Sequence, residues 1–217
     1  MIIYGLIISV LIILITLTFT SKTLSPIPYF PSQKIDLPLI IKSINLKNDQ
    51  VLFDLGAGDG LVIFAAAKEA YEKKLNTKFI AVEINPVLIL ILHLRRLFHP
   101  DIKNIKIILA DLFTMSLRAF AKQSHNFGIA SSLTSFPPRN DKPTMKQLAG
   151  ASQYSNITFY LYISPWFLDR VAKKILKEFP NACIISYMYK IKSLKNKENV
   201  IRGKNSIFIY GQNYAIA

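Results

Sequence analysis

Negative charge is scarce in this chain. Its 217 residues hold 13 Asp and Glu against 27 Lys and Arg, a formal net charge of +14. Such a balance points to nucleic acid, an anionic membrane surface or an acidic substrate. In a chain rich in Ile, Lys and Asn it also fits codon bias, so it supports a reading without choosing one. Cysteine is nearly absent. Cys183 alone excludes an internal disulfide framework and permits a reducing compartment, and its place in the apolar run Ala182–Ser186 marks it as a core residue. One cysteine and three scattered histidines support no metal site. His93 falls on an apolar helix and reads as structural, while His99 and His125 lie near loops with no visible partners.

Charged side chains are missing altogether from Met1–Thr20. Twenty helical residues at about 1.5 Å each span roughly the 30 Å hydrocarbon core. A cleaved signal peptide is the rival reading. Against it stand the absence of a basic n-region, an apolar run longer than the usual h-region and the lack of an A-x-A site. Residues 1–20 are therefore expected to be an uncleaved transmembrane helix with the lipid bilayer as partner. Lys22 and Lys34 follow the span and no basic side chain precedes it, which places the rest of the chain on the cytoplasmic side of a cell membrane, single-pass. A hydrophobic fraction of 51% and a positive mean hydropathy agree.

Residues 21–38 are a proline-rich connector, read as extended and stiff over Leu24–Pro38. Tyr29 and Phe30 within it are placed either to anchor at the interface or to fold over a ligand. From residue 39 to 217 strands and helices alternate. After a short amphipathic helix at Leu37–Leu46, strands are expected at Val51–Asp54, Lys78–Glu83, Ile105–Leu109, Ile157–Ile163, Cys183–Lys190 and Ser206–Tyr210. Helices are expected near Gly60–Lys74, Pro86–Phe98, Leu112–Ala121 and Pro165–Phe179. Asn85 followed by Pro86 is a helix-start signal. The alternation predicts an α/β fold, Rossmann-like and doubly wound, with a mostly parallel sheet covered on both faces. Residues 122–155 break the rhythm and read as a flexible insertion. Lys192–Asn205 reads as a solvated loop.

The chemistry gathers at strand ends. Val51–Gly60 runs from an apolar strand into Gly56-Ala57-Gly58-Asp59-Gly60, a turn that brings bare backbone N–H groups to a ligand. Asp54 ends the first strand, Glu83 the second, and Asp111 follows the third, at the edge where open α/β sheets bind ligands. Glu83 lies 23 residues beyond Gly60, where a carboxylate accepts hydrogen bonds from ribose hydroxyls. The spacing is G-x-G-x-G, not the dinucleotide G-x-G-x-x-G. Asp54 and Asp59 beside it would repel a pyrophosphate but suit an ammonium and a sulfonium. With Asp111 placed for an adenine amino group, the set describes S-adenosylmethionine better than NAD.

Asp54-Leu-Gly-Ala-Gly-Asp-Gly, Val82-Glu-Ile-Asn-Pro and Ala110-Asp-Leu-Phe resemble the first three motifs of class I, seven-strand methyltransferases. With the apolar N-terminus, Pro28-Tyr-Phe-Pro-Ser32 and Ile184-Ile-Ser-Tyr-Met-Tyr-Lys-Ile191, the chain resembles a narrower family. That family is the membrane-anchored lysine methyltransferases of the ATP-synthase c subunit and the adenine nucleotide carrier, with their prokaryotic relatives. The resemblance implies that Asp54, Gly56 and Gly58 shape the cofactor loop, that Glu83 holds the ribose and that Asp111 faces the adenine. It implies that Tyr29 and Ser32 close over the cofactor or the substrate channel.

Ser164-Pro165-Trp166, past the fourth strand, is where an acceptor arrives in such a fold. An Asn/Asp-Pro-Pro-Tyr turn, the mark of nucleic-acid adenine methylation, is absent there, so nucleic acid is disfavoured as partner. Ser164, Trp166 and Tyr29 are the acceptor-side candidates, and no general base is assigned. The expected function is methylation of lysine on a membrane or membrane-proximal protein. The alternatives are a small-molecule or lipid methyltransferase and a non-catalytic nucleoside-binding membrane scaffold.

Overall fold

The computed structural model describes residues 2–20, 30–115, 117, 156–195 and 197–211. The 122–155 insertion, Tyr29 and His125 lie outside them, as does nearly all of the helix expected at Leu112–Ala121, of which a turn over 112–115 is described.

Helix α1 covers Ile2–Thr20, with no acidic residue in its first turn and no basic one in its last. Among the described residues, no helix is long and apolar enough to cross a membrane. The connector is not extended up to Pro38. A 3-10 turn over Lys34–Asp36 runs directly into α2 (Leu37–Ile44), with Pro38 in its first turn, where its missing N–H costs nothing.

Strand β1 (Gln50–Leu55) is buried throughout, as befits a strand covered on both faces. It is followed by α3 (Leu61–Glu72), β2 (Lys78–Glu83), α4 (Pro86–Leu97), β3 (Ile105–Leu109), β4 (Asn156–Leu161), α5 (Pro165–Glu178) and β5 (Cys183–Tyr187). The chain ends in a hairpin of β6 (Glu198–Arg202) and β7 (Ser206–Tyr210). The seven strands lie in the order β3-β2-β1-β4-β5-β7-β6. The first five are parallel, β7 runs antiparallel to β5, and β6 antiparallel to β7. The bounds expected for β2, β3 and β7 coincide with those observed. Strand β6 corrects the expectation of a solvated loop over Lys192–Asn205. It is an edge strand with little buried surface, so no apolar alternation marks it.

Two apolar layers cover the sheet. Helices α2, α3 and α4 pack on one face through residues such as Ile40, Ala66 and Leu92, and α5 packs on the other through Leu168, Val171 and Ile175. Between them the sheet is closely knit. Phe53 of β1 stacks on Phe159 of β4 at 4.7 Å, and Gln50 donates to Thr158 Oγ1 at 2.8 Å, so the one polar side chain at the strand's start is paired. The chain winds outward from β1 to β3 and returns to place β4 on β1's other side. That reversal opens a crevice beyond the carboxyl ends of β1 and β4, where ligands bind in such sheets.

Candidate functional site

Three glycines shape the turn after β1. Gly56, Gly58 and Gly60 have φ of 79°, 58° and 80°, a left-handed region that costs L-residues about 1–2 kcal/mol each. At Gly60 there is no room either, because an added Cβ would sit 2.6 Å from both Phe64 and Leu92. The turn is tied to β2. Gly56 N and Ala57 N donate to Val82 O at 2.9 and 3.0 Å, and Gly58 N donates to Glu83 Oε2 at 2.8 Å. Glu83 Oε1 accepts from Ile84 N and Asn85 N at 2.9 and 3.0 Å. The Glu83 carboxylate is therefore buried and oriented by three backbone N–H groups.

Asp54 is the centre of this arrangement. It lies one residue before the end of β1, buried, with a backbone hydrogen bond from Ile63 favouring its charge. Burial, then the charges of Glu83 and Asp59, push its carboxyl up to about 8. A buried acid in this state is a site for a cation. Asn85 adds a second opening for a ligand. Its Oδ1 caps α4 by accepting from Val87 N and Leu88 N, while its buried Nδ2 has no hydrogen-bond partner among the described residues. Such an unmet donor costs about 1–3 kcal/mol, which a ligand oxygen would offset.

Asp59 faces elsewhere. Its Oδ1 accepts from Leu61 N at 3.2 Å, and its Oδ2 and carbonyl take Arg95 at 3.1 and 2.6 Å. It reaches the site through its charge on Asp54. Asp111 is half-buried after β3 and uses Oδ1 to accept from Phe113 N at 2.9 Å, shaping the turn it begins.

The acceptor side is aromatic. Opposite Asp54 in register stands Tyr160 of β4, whose hydroxyl lies 3.0 Å from Ser32 Oγ, so the connector's end sits against the strand that borders the crevice. Burial raises the Tyr160 hydroxyl well above its ordinary value. One turn of the pleat further, Tyr162 meets Tyr187 edge-on at 5.0 Å and stacks on Tyr189 at 6.5 Å. Ser164 begins α5 without a side-chain cap, and Trp166 in its first turn is 85% exposed.

Asp36 holds this half together. It accepts from Tyr187 Oη, Lys204 N, Asn205 N and Asn205 Nδ2 at 2.7–3.0 Å. Burial pushes its carboxyl up, and the bonds from Tyr187, Lys204 and Asn205 outweigh that and leave it below the usual range. Sequence reasoning passed over Asp36, Tyr162 and Tyr187. For the two tyrosines of Ser186-Tyr187-Met188-Tyr189 the alternation was a usable signal. For Asp36 there was none, since its partners lie more than 150 residues away.

The remaining candidates are structural. His99 does have partners, correcting the reading above. Its Nε2 lies 3.1 Å from Phe64 O and its Nδ1 accepts from Asp101 N. Burial lowers both His93 and His99 and pushes the Cys183 thiol up to about 12, away from reactivity. Among the described residues no cluster of His, Cys, Asp or Glu could hold a metal ion.

No family model matches the chain, and no curated protein does. Solved structures do. The chain is similar to an RNA methyltransferase from Salinibacter ruber in complex with S-adenosyl-L-homocysteine, with 14% identity, a TM-score of 0.58, and 84% of this chain and 93% of that one covered. It is also similar to the 23S rRNA methyltransferase ErmE, with 14% identity, a TM-score of 0.51, and 87% and 72% covered. At such identity the likeness shows the fold, and the fold is the Rossmann-like one of S-adenosylmethionine-dependent methyltransferases.

Proposed function

We propose that this protein is an S-adenosylmethionine-dependent methyltransferase, held at a membrane by α1, whose acceptor is a lysine amine of a membrane or membrane-proximal protein. The observation that carries the cofactor reading is Asp54. It is a buried carboxyl pushed up to about 8, beside three left-handed glycines and a buried, oriented Glu83. An ammonium or sulfonium nearby reverses the burden on Asp54, whereas a pyrophosphate would add to it. The residues present thus fit S-adenosylmethionine. Asp54 and the glycine turn would hold its methionine end, Glu83 and Asn85 its ribose, and Asp111 its adenine. The cofactor when bound supplies a methyl group on a sulfonium, open to attack by an amine. The protein's part is to position the acceptor and keep water out.

Lysine is favoured by the aromatic lining. Tyr162 and Tyr189 stand half-buried at the carboxyl edge of β4 and β5, with the buried Tyr187 packed against Tyr162. The two half-buried rings would attract an approaching ammonium, and the apolar surroundings would favour its neutral, nucleophilic form. Ser164-Pro165-Trp166 supplies no adenine-methylating turn. For the anchor, the support is the sequence alone, the uncharged apolar run Met1–Thr20. Tethering raises the effective concentration of membrane substrates.

Tritiated S-adenosylmethionine and the full chain, added to membranes and total RNA from cells lacking the protein, test the acceptor. Label is expected in a protein band, as methyl-lysine after hydrolysis. Label in the lipid extract would establish the lipid alternative, and label in RNA, the acceptor class of the two solved neighbours, would overturn the lysine reading. Absence of label together with absence of cofactor binding would leave a non-catalytic scaffold.

A further inference from the structure

Helix α4 is apolar on the side that faces away from the sheet. Leu88 and Leu92 are buried against the core, yet Leu90, Leu94, Leu97 and Phe98 are 60%, 50%, 65% and 88% exposed. Their spacing, i, i+4, i+7 and i+8, lines them up along one outward stripe. Isolated exposed leucines need no explanation, but a continuous apolar stripe marks a surface that is covered in use. Edge strand β3 carries the same character towards the site. Leu109, 43% exposed at its carboxyl end, shares a face with buried Ile105 and Ile107 and so lies on the side of the sheet that α4 covers.

We propose that this stripe is a second membrane contact. It would lie in the boundary between headgroups and acyl chains of an anionic bilayer, and set the orientation of the domain on the surface. The inference rests on the reading of α1 as the anchor. Three observations choose lipid over a protein partner. Helix α1 makes contact with α4, so the stripe adjoins the proposed anchor. The four side chains remain exposed with α1 alongside, so α1 does not cover them. Basic side chains border the stripe, Lys103 exposed just beyond α4 and Arg95 in its last turn, exposed and paired with Asp59. An apolar face rimmed by Arg and Lys is the composition of an interfacial helix on anionic lipid.

The test is depth-dependent quenching in vesicles of phosphatidylcholine and phosphatidylglycerol. The full chain carries an environment-sensitive fluorophore at one cysteine, in a Cys183→Ala background. Positions are Leu94→Cys on the stripe, Phe98→Cys as a second, fully outward stripe position that cannot disturb packing, Lys173→Cys on α5, and Ile8→Cys in α1. The stripe labels are expected to shift to the blue and to lose most of their emission to lipids bearing a quencher high on the acyl chain, while the α5 label loses none. Stripe labels that stay in water while the α1 label is quenched would overturn the second contact and leave the anchor standing. No quenching at any position would overturn both. Stripe labels shielded from water but untouched by lipid quencher would show a protein cover, a second copy or another partner, and would also refute the proposal.

Discussion

The two halves of the sheet present different chemistry along one edge. From β1 to β3 the carboxyl ends carry acids, Asp54, Glu83 and Asp111, oriented by the backbone of short turns. On β4, β5 and the turns that follow them stand tyrosines, Tyr160 held by Ser32, Tyr187 by Asp36 and Tyr162 by the rings of Tyr187 and Tyr189, contacts that mostly join distant parts of the chain. In the proposed function the first half holds a positively charged small molecule, and the second admits and desolvates a nucleophile. A lesion in one half should therefore leave the other's property intact, and each substitution below breaks or sharpens that division.

Asp54→Asn is expected to have the largest effect. Removing one partner of a buried charge pair costs about 2–5 kcal/mol of binding, so cofactor affinity should fall by a factor of about thirty or more in calorimetry. The same change should not destabilise the fold. With a folded value of about 8 against 3.8 for the unfolded chain, the native protein holds the Asp54 proton more tightly, so stability declines as pH rises from about 4 to about 8. The thermal midpoint of the asparagine variant should lack that decline. Cofactor affinity in the wild type should rise over the upper part of the same window, and the variant should lose the rise.

Asp36→Asn comes next, in the other half. It replaces a buried carboxylate that accepts four hydrogen bonds, and hydrogen bonds to charged groups are worth about 1.5–3 kcal/mol each before compensation. A loss of several kcal/mol of stability in denaturant titration is expected, with cofactor affinity little changed. In the wild type the Asp36 contribution is present at neutral pH and is lost only as pH falls through its lowered value, below 3.8.

Tyr162→Ala should separate the halves at the level of activity. Loss of a cation–π contact of about 0.5–2 kcal/mol is expected to lower kcat/KM for the acceptor by up to about thirtyfold while leaving cofactor binding unchanged. Equal loss of both would place Tyr162 with the cofactor. Arg95→Ala is the smallest. Its ion pair with Asp59 is partly exposed, so stability should change by less than about 1 kcal/mol.

The same division explains what could be read without the structure. The first half was legible because its determinants are local: a strand, a glycine turn and an acid recur within about thirty residues, and Asn85-Pro86 declares the next helix. The second half was not. Tyr187 acquires its role from Asp36 and Asn205, which the fold brings together from distant parts of the chain. Strand β6 hides because an edge strand without a buried face leaves no alternation in Glu198–Arg202. Asp59 was grouped with the ligand acids on spacing alone, and only the position of Arg95 on α4 shows where its carboxylate points.

The central claim is that Asp54 makes the crevice between β1 and β4 a site for a cationic nucleoside. Calorimetric titration of the full chain with S-adenosylmethionine, run on the wild type and on Asp54→Asn at pH 7 and 8, tests it directly. The expected result is one-to-one binding by the wild type, tighter at pH 8 than at pH 7, and severe loss in a variant that stays folded. Undiminished binding by the folded variant would contradict the account.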